Sequence, residues 1–243
     1  MIVLKLGGSV ITDKDERETV DLDALARLAG TIGNADVDDL VVVHGAGSFG
    51  HFYADKHDVS TTDGTHDATA VREIHDSMAR LNAAVLDYLD DAGIDGVPVR
   101  PFSAARRDAA GESEFYTKQV ASMLEEGFTP VLHGDVIVQE DAGATIVSGD
   151  EVVTELASAL DADRVGLCST VPGVLDDEDD VIPEIDAYDD VADVLGDSEG
   201  TDVTGGMAGK VRELLALGAP ASIFGPDDLA GFLDGEQVGT RVN

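Results

Sequence analysis

Short apolar runs that end in glycine-rich turns alternate along this chain with longer segments of helical periodicity. The apolar runs predict strands over residues 2–6, 40–43, 97–99, 130–133, 164–168 and 221–224. Apolar residues at helical spacing predict helices over residues 21–32, 67–91, 117–126, 150–160 and 206–217. Residues 136–147 predict a hairpin that turns at Asp141-Ala142-Gly143. The alternation indicates an α/β fold whose largely parallel sheet has helices on both faces.

The chain shows no long linker, low-complexity tract or internal repeat, so we expect a single domain over residues 1–243. No apolar run approaches the roughly 18 residues that cross a bilayer. The N-terminus has no basic region followed by an apolar stretch, which a secretory signal needs. The only cysteine, Cys168, lies in an apolar run and cannot form an internal disulfide. These features predict a cytoplasmic protein.

Acidic residues dominate the charge of this chain. Aspartate and glutamate total 50 against 15 lysines and arginines, for a formal net charge of -35 at pH 7. Such a field repels nucleic acid and anionic membranes, so we expect neither as a partner. The carboxylates are spread along the whole chain. This indicates a surface adapted to high salt, where ions screen the repulsion, and not a cation-binding or nucleic-acid-mimicking region.

Glycine-rich turns follow the predicted strands or open the predicted helices. They read KLGGS (5–9), HGAGSFGH (44–51), HGD (133–135), SGD (148–150) and TGGMAGK (204–210). Backbone N–H groups at helix starts attract anions, and glycine lets the backbone approach a phosphate closely. Three of the few lysines, Lys5, Lys14 and Lys210, stand in or beside these turns. Since the carboxyl ends of parallel strands meet at one sheet edge, the turns predict a site for a phosphate-rich ligand.

Two familiar phosphate-binding motifs do not fit. Gly45, Gly47 and Gly50 have the spacing of a dinucleotide-binding loop, but that fold needs an acidic residue about 20 positions later at the end of a second strand. Here residues 65–70 open a helix instead. Residues 205–210 are one residue short of a P-loop, and Val211 stands where Ser or Thr would hold Mg²⁺.

A different family matches these turns in number and order. KLGGSVIT at the start of the chain, then Lys14, HGAGSFGH, HGD, SGDE and DVTGGM…K resemble the amino acid kinase superfamily and, within it, the isopentenyl phosphate kinases. The resemblance implies a three-layer αβα sandwich around a mostly parallel sheet, with the acceptor bound by the N-terminal half and ATP by the C-terminal half. It implies transfer of a phosphoryl group from ATP to isopentenyl phosphate in isoprenoid biosynthesis. Dimethylallyl phosphate is a possible second acceptor, and the family pattern suggests a homodimer.

The resemblance also implies roles for individual residues. Catalytic roles fall to Lys5, which stabilises the transferring phosphoryl group, Lys14, which holds the γ-phosphate, His51, and Asp150, which orients the lysines. ATP would be bound by Lys5, Leu6, Gly7, Gly8, Ser9, Gly47, Thr170, Gly206 and Lys210. The acceptor would be bound by Ala46, Gly50, His51 and Gly149. No compact carboxylate cage is visible in the sequence, so we expect Mg²⁺ to arrive with ATP and to have no protein site of its own.

His51 stands where the next helix is expected to begin. Family members that phosphorylate a carboxylate do not need a histidine there, whereas a phosphate acceptor gains an N–H donor. The alternative is a helix-capping histidine without a ligand. Candidates for an apolar pocket around the substrate tail are Phe49, Phe52, Ile74 and Met78, of which the last two could equally be ordinary core.

The chain departs from the family pattern at two places. Position 46 is alanine where other members carry a third consecutive glycine, and residues 169–173 read STVPG where related kinases often read TDVDG. Two acidic groups are therefore missing near the expected nucleotide site. Two other functions stay open at this point: a sister kinase for another small phosphate, phosphonate or nucleoside monophosphate, and a nucleotide-binding sensor without catalysis.

Overall fold

The computed structural model describes residues 1–195, 206–217 and 219–243. The strands are β1 (Ile2–Leu6), β2 (Leu40–His44), β3 (Gly96–Pro98), β4 (Ala105–Arg107), β5 (Ser113–Phe115), β6 (Thr129–His133), β7 (Asp135–Gln139), β8 (Gly143–Val147), β9 (Arg164–Cys168), β10 (Glu184–Ile185), β11 (Ala221–Phe224) and β12 (Thr240–Val242). The helices are α1 (Gly8–Ile11), α2 (Leu22–Gly33), α3 (Gly47–Lys56), α4 (Ala68–Asp91), α5 (Pro101–Ala104), α6 (Thr117–Glu125), α7 (Gly149–Ala159), α8 (Ala192–Leu195), α9 (Gly206–Leu217) and α10 (Leu229–Leu233). Thr204 and Gly205 of the predicted TGGMAGK loop lie outside the described residues.

The large sheet has eight strands in the order β10-β12-β11-β9-β1-β2-β6-β3. Every neighbouring pair from β11 to β3 is parallel, and β12 runs antiparallel to β11 at the other edge. The predicted mostly parallel sheet is therefore confirmed. The order also places β1 in the middle, so the turns that follow β1, β2 and β9 lie side by side at their carboxyl ends.

Two helical layers cover this sheet, and the period-2 alternation of strand side chains decides what faces each layer. Ile2, Leu4 and Leu6 of β1 are buried in one core with α2, α4 and α10. Val3 is buried in the opposite core with α6, α7 and α9. Lys5 follows the same alternation as Val3 and so points toward α7. The expected three-layer αβα arrangement is confirmed, and it fixes the side on which the Lys5 ammonium lies.

The predicted strands and helices all form, with bounds that differ by at most one residue at each end. Two helix starts are fixed by aspartate caps: Asp21 accepts a hydrogen bond from the backbone N–H of Ala24, and Asp67 accepts one from that of Thr69. The predicted hairpin is the antiparallel pair of β7 and β8. It belongs to a second sheet of four strands, in the order β5-β4-β7-β8, which the sequence pattern does not predict.

Helix α3 is a second element that the sequence pattern does not predict. Its segment, GSFGHFYADK, has two glycines and little amphipathic pattern, so intrinsic propensity does not favour a helix. Packing on α4 supplies the stability instead. Gly50 allows this contact, because a Cβ at that position would lie 2.6 Å from the sulfur of Met78.

Gly166, in the middle of β9, sits beneath two stacked aromatic rings. The centroids of Phe224 and Phe232 are 4.8 Å apart. A Cβ on Gly166 would lie 2.6 Å from Cε1 of Phe232 and 2.9 Å from Cε1 of Phe224. The rings fill the space that a side chain at Gly166 would need.

We therefore expect Gly166→Ala to lower the free energy of unfolding by about 1 to 3 kcal/mol, the usual effect of overpacking. Gly30→Ala is the matched control, because no atom lies within 4 Å of a Cβ there and the residue is inside α2. That variant should gain up to about 1 kcal/mol from helix propensity. Urea unfolding of both variants in molar KCl measures the difference. Equal stability of Gly166→Ala and wild type would contradict the packing described here.

Candidate active site

The carboxyl ends of β1, β2, β6 and β9 open onto one cavity. The residues predicted from the sequence that line it are Lys5, Gly7, Gly8, Ser9, Lys14, Ala46, Gly47, Gly50, His51, Gly149, Asp150, Thr170, Gly206 and Lys210. Leu6 is the exception, because its side chain is buried in the core on the α2 side of the sheet. Its carbonyl oxygen accepts a hydrogen bond of 2.9 Å from the N–H of Gly45, so it anchors the neighbouring turn. Its predicted place in the ATP site has no support from the cavity lining.

The turns after β1 and β2 touch each other within this cavity. A Cβ on Gly8 would overlap the backbone nitrogen of Gly47, and Gly47 itself has a φ of +50°, which glycine adopts readily. Thr12 ties the two turns together: its hydroxyl donates to the carbonyl of Gly8 at 2.8 Å and accepts from the N–H of Ser48 at 3.0 Å. Two ligands bound at these turns would therefore meet.

Lys5 and Asp150 form an ion pair at the centre of the cavity wall. The distance from Nζ of Lys5 to Oδ1 of Asp150 is 2.6 Å, and the two side chains are only 7% and 5% exposed. Burial lowers the pKa of the Lys5 ammonium, and the nearby Asp150 carboxylate opposes that effect. Asp150 thus favours the charged form of a buried lysine and fixes the direction of its side chain.

Asp150 is placed by the start of α7. Ser148 caps this helix, since its hydroxyl accepts from the N–H of Glu151 at 2.9 Å, and the Glu151 carboxylate accepts in return from the N–H of Ser148. Gly149 lies between them, and a Cβ there would approach Cε of Lys5 to 3.1 Å. The positive end of the α7 dipole therefore faces the cavity beside Lys5.

The other two lysines reach the cavity from opposite sides. Lys14 is exposed in the segment between Thr12 and Val20. An antiparallel bridge between these two residues closes the segment into a loop. Lys210 lies on α9, where its Nζ donates to the carbonyl of Gly206 at 3.3 Å. Three of the five lysines of this acidic chain thus line one cavity.

Glu213 is a titratable neighbour of Lys5 that the sequence analysis missed. Burial raises its pKa to about 7, and the carboxylates of Asp150 and Glu151 add to this effect. Its Oε2 is buried without a hydrogen-bond partner among the described residues. The spacing of three residues after Lys210 on a helix is the signal that could have identified it, because such residues share a face.

His51 lines the cavity but does not stand at the start of its helix. Helix α3 begins at Gly47, so His51 lies one turn inside it and the expected position at a helix start is wrong. The glycines at 47 and 50 do not break the helix because α4 packs against it, as described above. From this place the imidazole faces the cavity together with Ala46 and Gly50.

Part of the cavity wall is apolar and is formed by Ala54, Ile74, Met78 and Ile146. Three of these residues, Ala54, Ile74 and Ile146, belong to one buried cluster. Ile74 and Met78, two of the predicted tail contacts, are therefore both buried and part of the cavity wall. Phe49 and Phe52 are not: Phe49 is buried in the core, and Phe52 is 40% exposed under the guanidinium of Arg17. Their predicted role in the tail pocket has no support from the cavity lining.

Comparison with known proteins assigns the chain to a family. Residues 1–219 match the model of the amino acid kinase family. The chain is 60% identical to an isopentenyl phosphate kinase of Haloferax volcanii, over 100% of this chain and 98% of the relative. It is 37% identical to an isopentenyl phosphate kinase of Methanothermobacter thermautotrophicus, over 100% and 98%. A solved isopentenyl phosphate kinase structure superposes with a TM-score of 0.87 at 32% identity, covering 100% and 99%. The chain belongs to the amino acid kinase family, among its isopentenyl phosphate kinases.

Membership of the amino acid kinase family implies that ATP is the phosphoryl donor. The Haloferax relative also fits the salt-adapted composition inferred from the sequence. Within the three described ranges, no group of three or more histidine, cysteine, aspartate or glutamate side chains is placed to hold a metal ion. No helix of the described part of the kinase is long and apolar enough to cross a membrane.

Two buried histidines form hydrogen bonds to the backbone of two glycine turns of this kinase. Nδ1 of His44 donates to the carbonyl of Gly45 at 3.0 Å, and Nδ1 of His133 donates to that of Gly134 at 2.9 Å. A carbonyl oxygen can only accept, so both rings carry the proton on Nδ1. Nε2 of His44 then accepts from Asn82. Burial lowers the pKa of each histidine to about 4.

Asp135 is a hydrogen-bonded carboxylate of the cavity wall, and the sequence analysis gave it no role. Its Oδ2 accepts from Nδ1 of His75 at 2.8 Å, and that hydrogen bond raises the pKa of His75. Its Oδ1 accepts from the N–H of Val136. Its position directly after the HG of the HGD turn is the signal that could have identified it.

We expect the buried histidines to make folding pH-dependent. Because each folded-state pKa of about 4 is below the unfolded value of about 6.5, the unfolded chain takes up protons first as the pH falls. Stability is therefore lost between about pH 6.5 and 4, by about 2 kcal/mol per histidine at pH 5. His133→Asn, which keeps a donor for Gly134, should remove about that much of the loss in denaturant titrations at pH 7 and pH 5.

His66→Asn is the control, because His66 is exposed. It should keep the pH dependence of wild type. The expectation fails if His133→Asn loses as much stability between pH 7 and pH 5 as wild type does.

Proposed function

We propose that this chain transfers the γ-phosphoryl group of ATP to the phosphate of isopentenyl phosphate, forming isopentenyl diphosphate and ADP. The observation that carries the proposal is one cavity lined by glycine turns with three lysines, by His51, and by the apolar side chains of Ala54, Ile74, Met78 and Ile146. A short apolar tail that ends in a phosphate matches this combination of cationic and apolar lining. The identities with curated isopentenyl phosphate kinases support the same substrate.

The acceptor phosphate is already an anionic nucleophile at neutral pH, so the reaction needs no general base. The barrier is the approach of two anions, and catalysis consists of positioning and charge neutralisation. An oxygen of the acceptor phosphate bonds to the γ-phosphorus while the bond from that phosphorus to the leaving ADP oxygen breaks. Lys5, fixed by Asp150, neutralises the phosphoryl group during the transfer.

The donor would lie on the side of β1 and α9. Gly8 and Ser9 offer backbone N–H groups and Lys14 a charge for the γ-phosphate, while Lys210 reaches the nucleotide from α9. The N–H of Gly7 donates to the carbonyl of Cys168 at 2.9 Å, so Gly7 contributes its place in the cavity wall and not a donor. Thr170 follows β9 on the same side. Among the described residues, the carboxylates that line the cavity are Asp135, which pairs with His75, and Asp150, which pairs with Lys5. Mg²⁺ therefore fits as a companion of ATP held mainly by its phosphates, where it would offset their charge.

The acceptor would lie on the side of β2 and α4. Ala46, Gly50 and Gly149 surround its phosphate, and His51 donates a hydrogen bond to it. Its tail would contact Ile74 and Met78. The acceptor wall comes from residues before 150, as expected for the N-terminal half, whereas the donor wall combines the turn after β1 with Thr170, Gly206 and Lys210 from the C-terminal half. Dimethylallyl phosphate, an isomer of equal size, fits the same space as a second acceptor, and a homodimer remains the expected assembly.

We expect His51→Ala to lower kcat with isopentenyl phosphate by about 100- to 1,000-fold, the usual effect of removing one donor to a developing charge. ATP affinity should stay close to wild type, because His51 faces the acceptor side. ADP release in molar KCl with Mg²⁺ measures kcat, and calorimetry measures ATP binding. His66→Ala is the matched control at an exposed histidine.

A panel of other phosphates, phosphonates, nucleoside monophosphates and carboxylates completes this experiment. Preference of wild type for another acceptor would move the function to a sister kinase of the same fold. ATP binding with no turnover of any acceptor would indicate a nucleotide sensor. Either result would contradict the proposal.

A further inference from the structure

Arg107 is a buried arginine of the small sheet that neither the sequence analysis nor the proposed mechanism uses. It ends β4, and its side chain is only 5% exposed. Its Nη1 donates to Oγ1 of Thr145 at 2.9 Å and to the carbonyl of Ile146 at 2.7 Å. A weaker contact of 3.4 Å reaches the carbonyl of Thr61. One guanidinium thus joins β4, β8 and the loop before α4.

The second nitrogen of the same guanidinium holds the start of α7. Nη2 donates to both carboxylate oxygens of Glu151. Glu151 is the residue whose carboxylate and backbone N–H complete the capping box with Ser148. A carboxylate that is fixed by a charged donor holds its own backbone contacts more firmly than one that is free to rotate.

A continuous set of contacts therefore leads from Arg107 to the reacting groups. Glu151 directly follows Asp150 in the first turn of α7, and Asp150 pairs with Lys5 at 2.6 Å. Ile146, whose carbonyl Arg107 binds, directly precedes the segment 147–150 that lines the cavity. Arg107 thus holds this segment from both ends.

We propose that Arg107 is a positioning residue for phosphoryl transfer: through Glu151 and the carbonyl of Ile146 it holds Gly149 and Asp150 in place against Lys5. This inference rests on the proposed function for its effect on turnover. Its effect on the geometry of Lys5 and Asp150 does not depend on which acceptor is used.

Arginine has a specific reason to be at this position. Its planar fork carries donors on separate nitrogens, so Nη2 reaches Glu151 while Nη1 reaches Thr145 and Ile146, whereas all donors of a lysine share one nitrogen atom. The neighbouring Arg106 provides an internal comparison. It is exposed and pairs with Glu114 on β5, at 2.9 and 3.0 Å, and within the described residues it has no hydrogen bond or ion pair to α7. The two arginines differ in what they hold and not in charge.

The test compares Arg107→Gln with Arg106→Gln, each of which removes one positive charge from β4. We expect Arg107→Gln to lower kcat about 10- to 100-fold, as misplacement of reacting groups by about 1 Å does, with the KM for ATP close to wild type. Arg106→Gln should keep the wild-type kcat. Arg107→Lys should give an intermediate kcat. All assays are run in molar KCl below the onset of thermal unfolding, which circular dichroism determines for each variant.

A second readout distinguishes positioning from a loss of stability alone. With only five lysines, NMR of lysine-labelled protein can follow the titration of Lys5 directly. Asp150 raises the pKa of Lys5 against burial, while Lys210 and Glu213 also face it. If Asp150 loses its fixed place in Arg107→Gln, the pKa of Lys5 should fall further. Arg106→Gln should leave it unchanged.

Glu151→Gln removes the other charge of the Arg107–Glu151 pair and replaces Arg107→Gln in the test if that variant does not fold. It should lower kcat and the Lys5 pKa in the same way, and the double variant should lose little more than Arg107→Gln, because the two residues act as one unit. Folded Arg107→Gln or Glu151→Gln with the kcat and Lys5 titration of Arg106→Gln would overturn the inference. Failure of wild type to use isopentenyl phosphate would instead overturn the proposed function, since the Lys5 titration needs no acceptor.

Discussion

The ion pair between Lys5 and Asp150 is the interaction on which the rest of the site depends. A lysine at the carboxyl end of the central strand is buried by the same packing that forms the core, and burial works against its charge. The carboxylate that offsets this cost comes from the first turn of α7, on the face to which the alternation of β1 directs the lysine. One contact thus links the central strand to α7 and favours the charged form of the buried lysine.

The cavity has the opposite electrostatic character to the chain around it. A net charge of -35 would repel an anionic ligand, yet three of the five lysines and the N-terminal end of α7 face one opening. In molar salt the Debye length is about 3 Å, so ions screen the field of the distant carboxylates, whereas contacts inside the cavity are screened much less. A ligand with several phosphates can therefore bind at a short-range cationic site in a strongly acidic protein.

Local pattern predicts most of the fold. The strands and helices with clear period form as predicted, and the glycine turns with lysine beside them line one cavity, because each of those signals lies within a short segment. The missing parts depend on distant partners. Helix α3 forms through contact with Met78, and the small sheet joins strands whose own sequences are short and weakly patterned. Asp135, Glu213 and Arg107 acquire their surroundings only when separate elements pack together.

The most direct test of this account is the rate of phosphoryl transfer in a single turnover by Asp150→Asn, which keeps the shape of the side chain and removes its charge. We predict a rate at least about 100-fold lower than wild type, because the transferring group loses an oriented ammonium, with ATP affinity changed only a few-fold. A wild-type rate of transfer in folded Asp150→Asn would contradict the account.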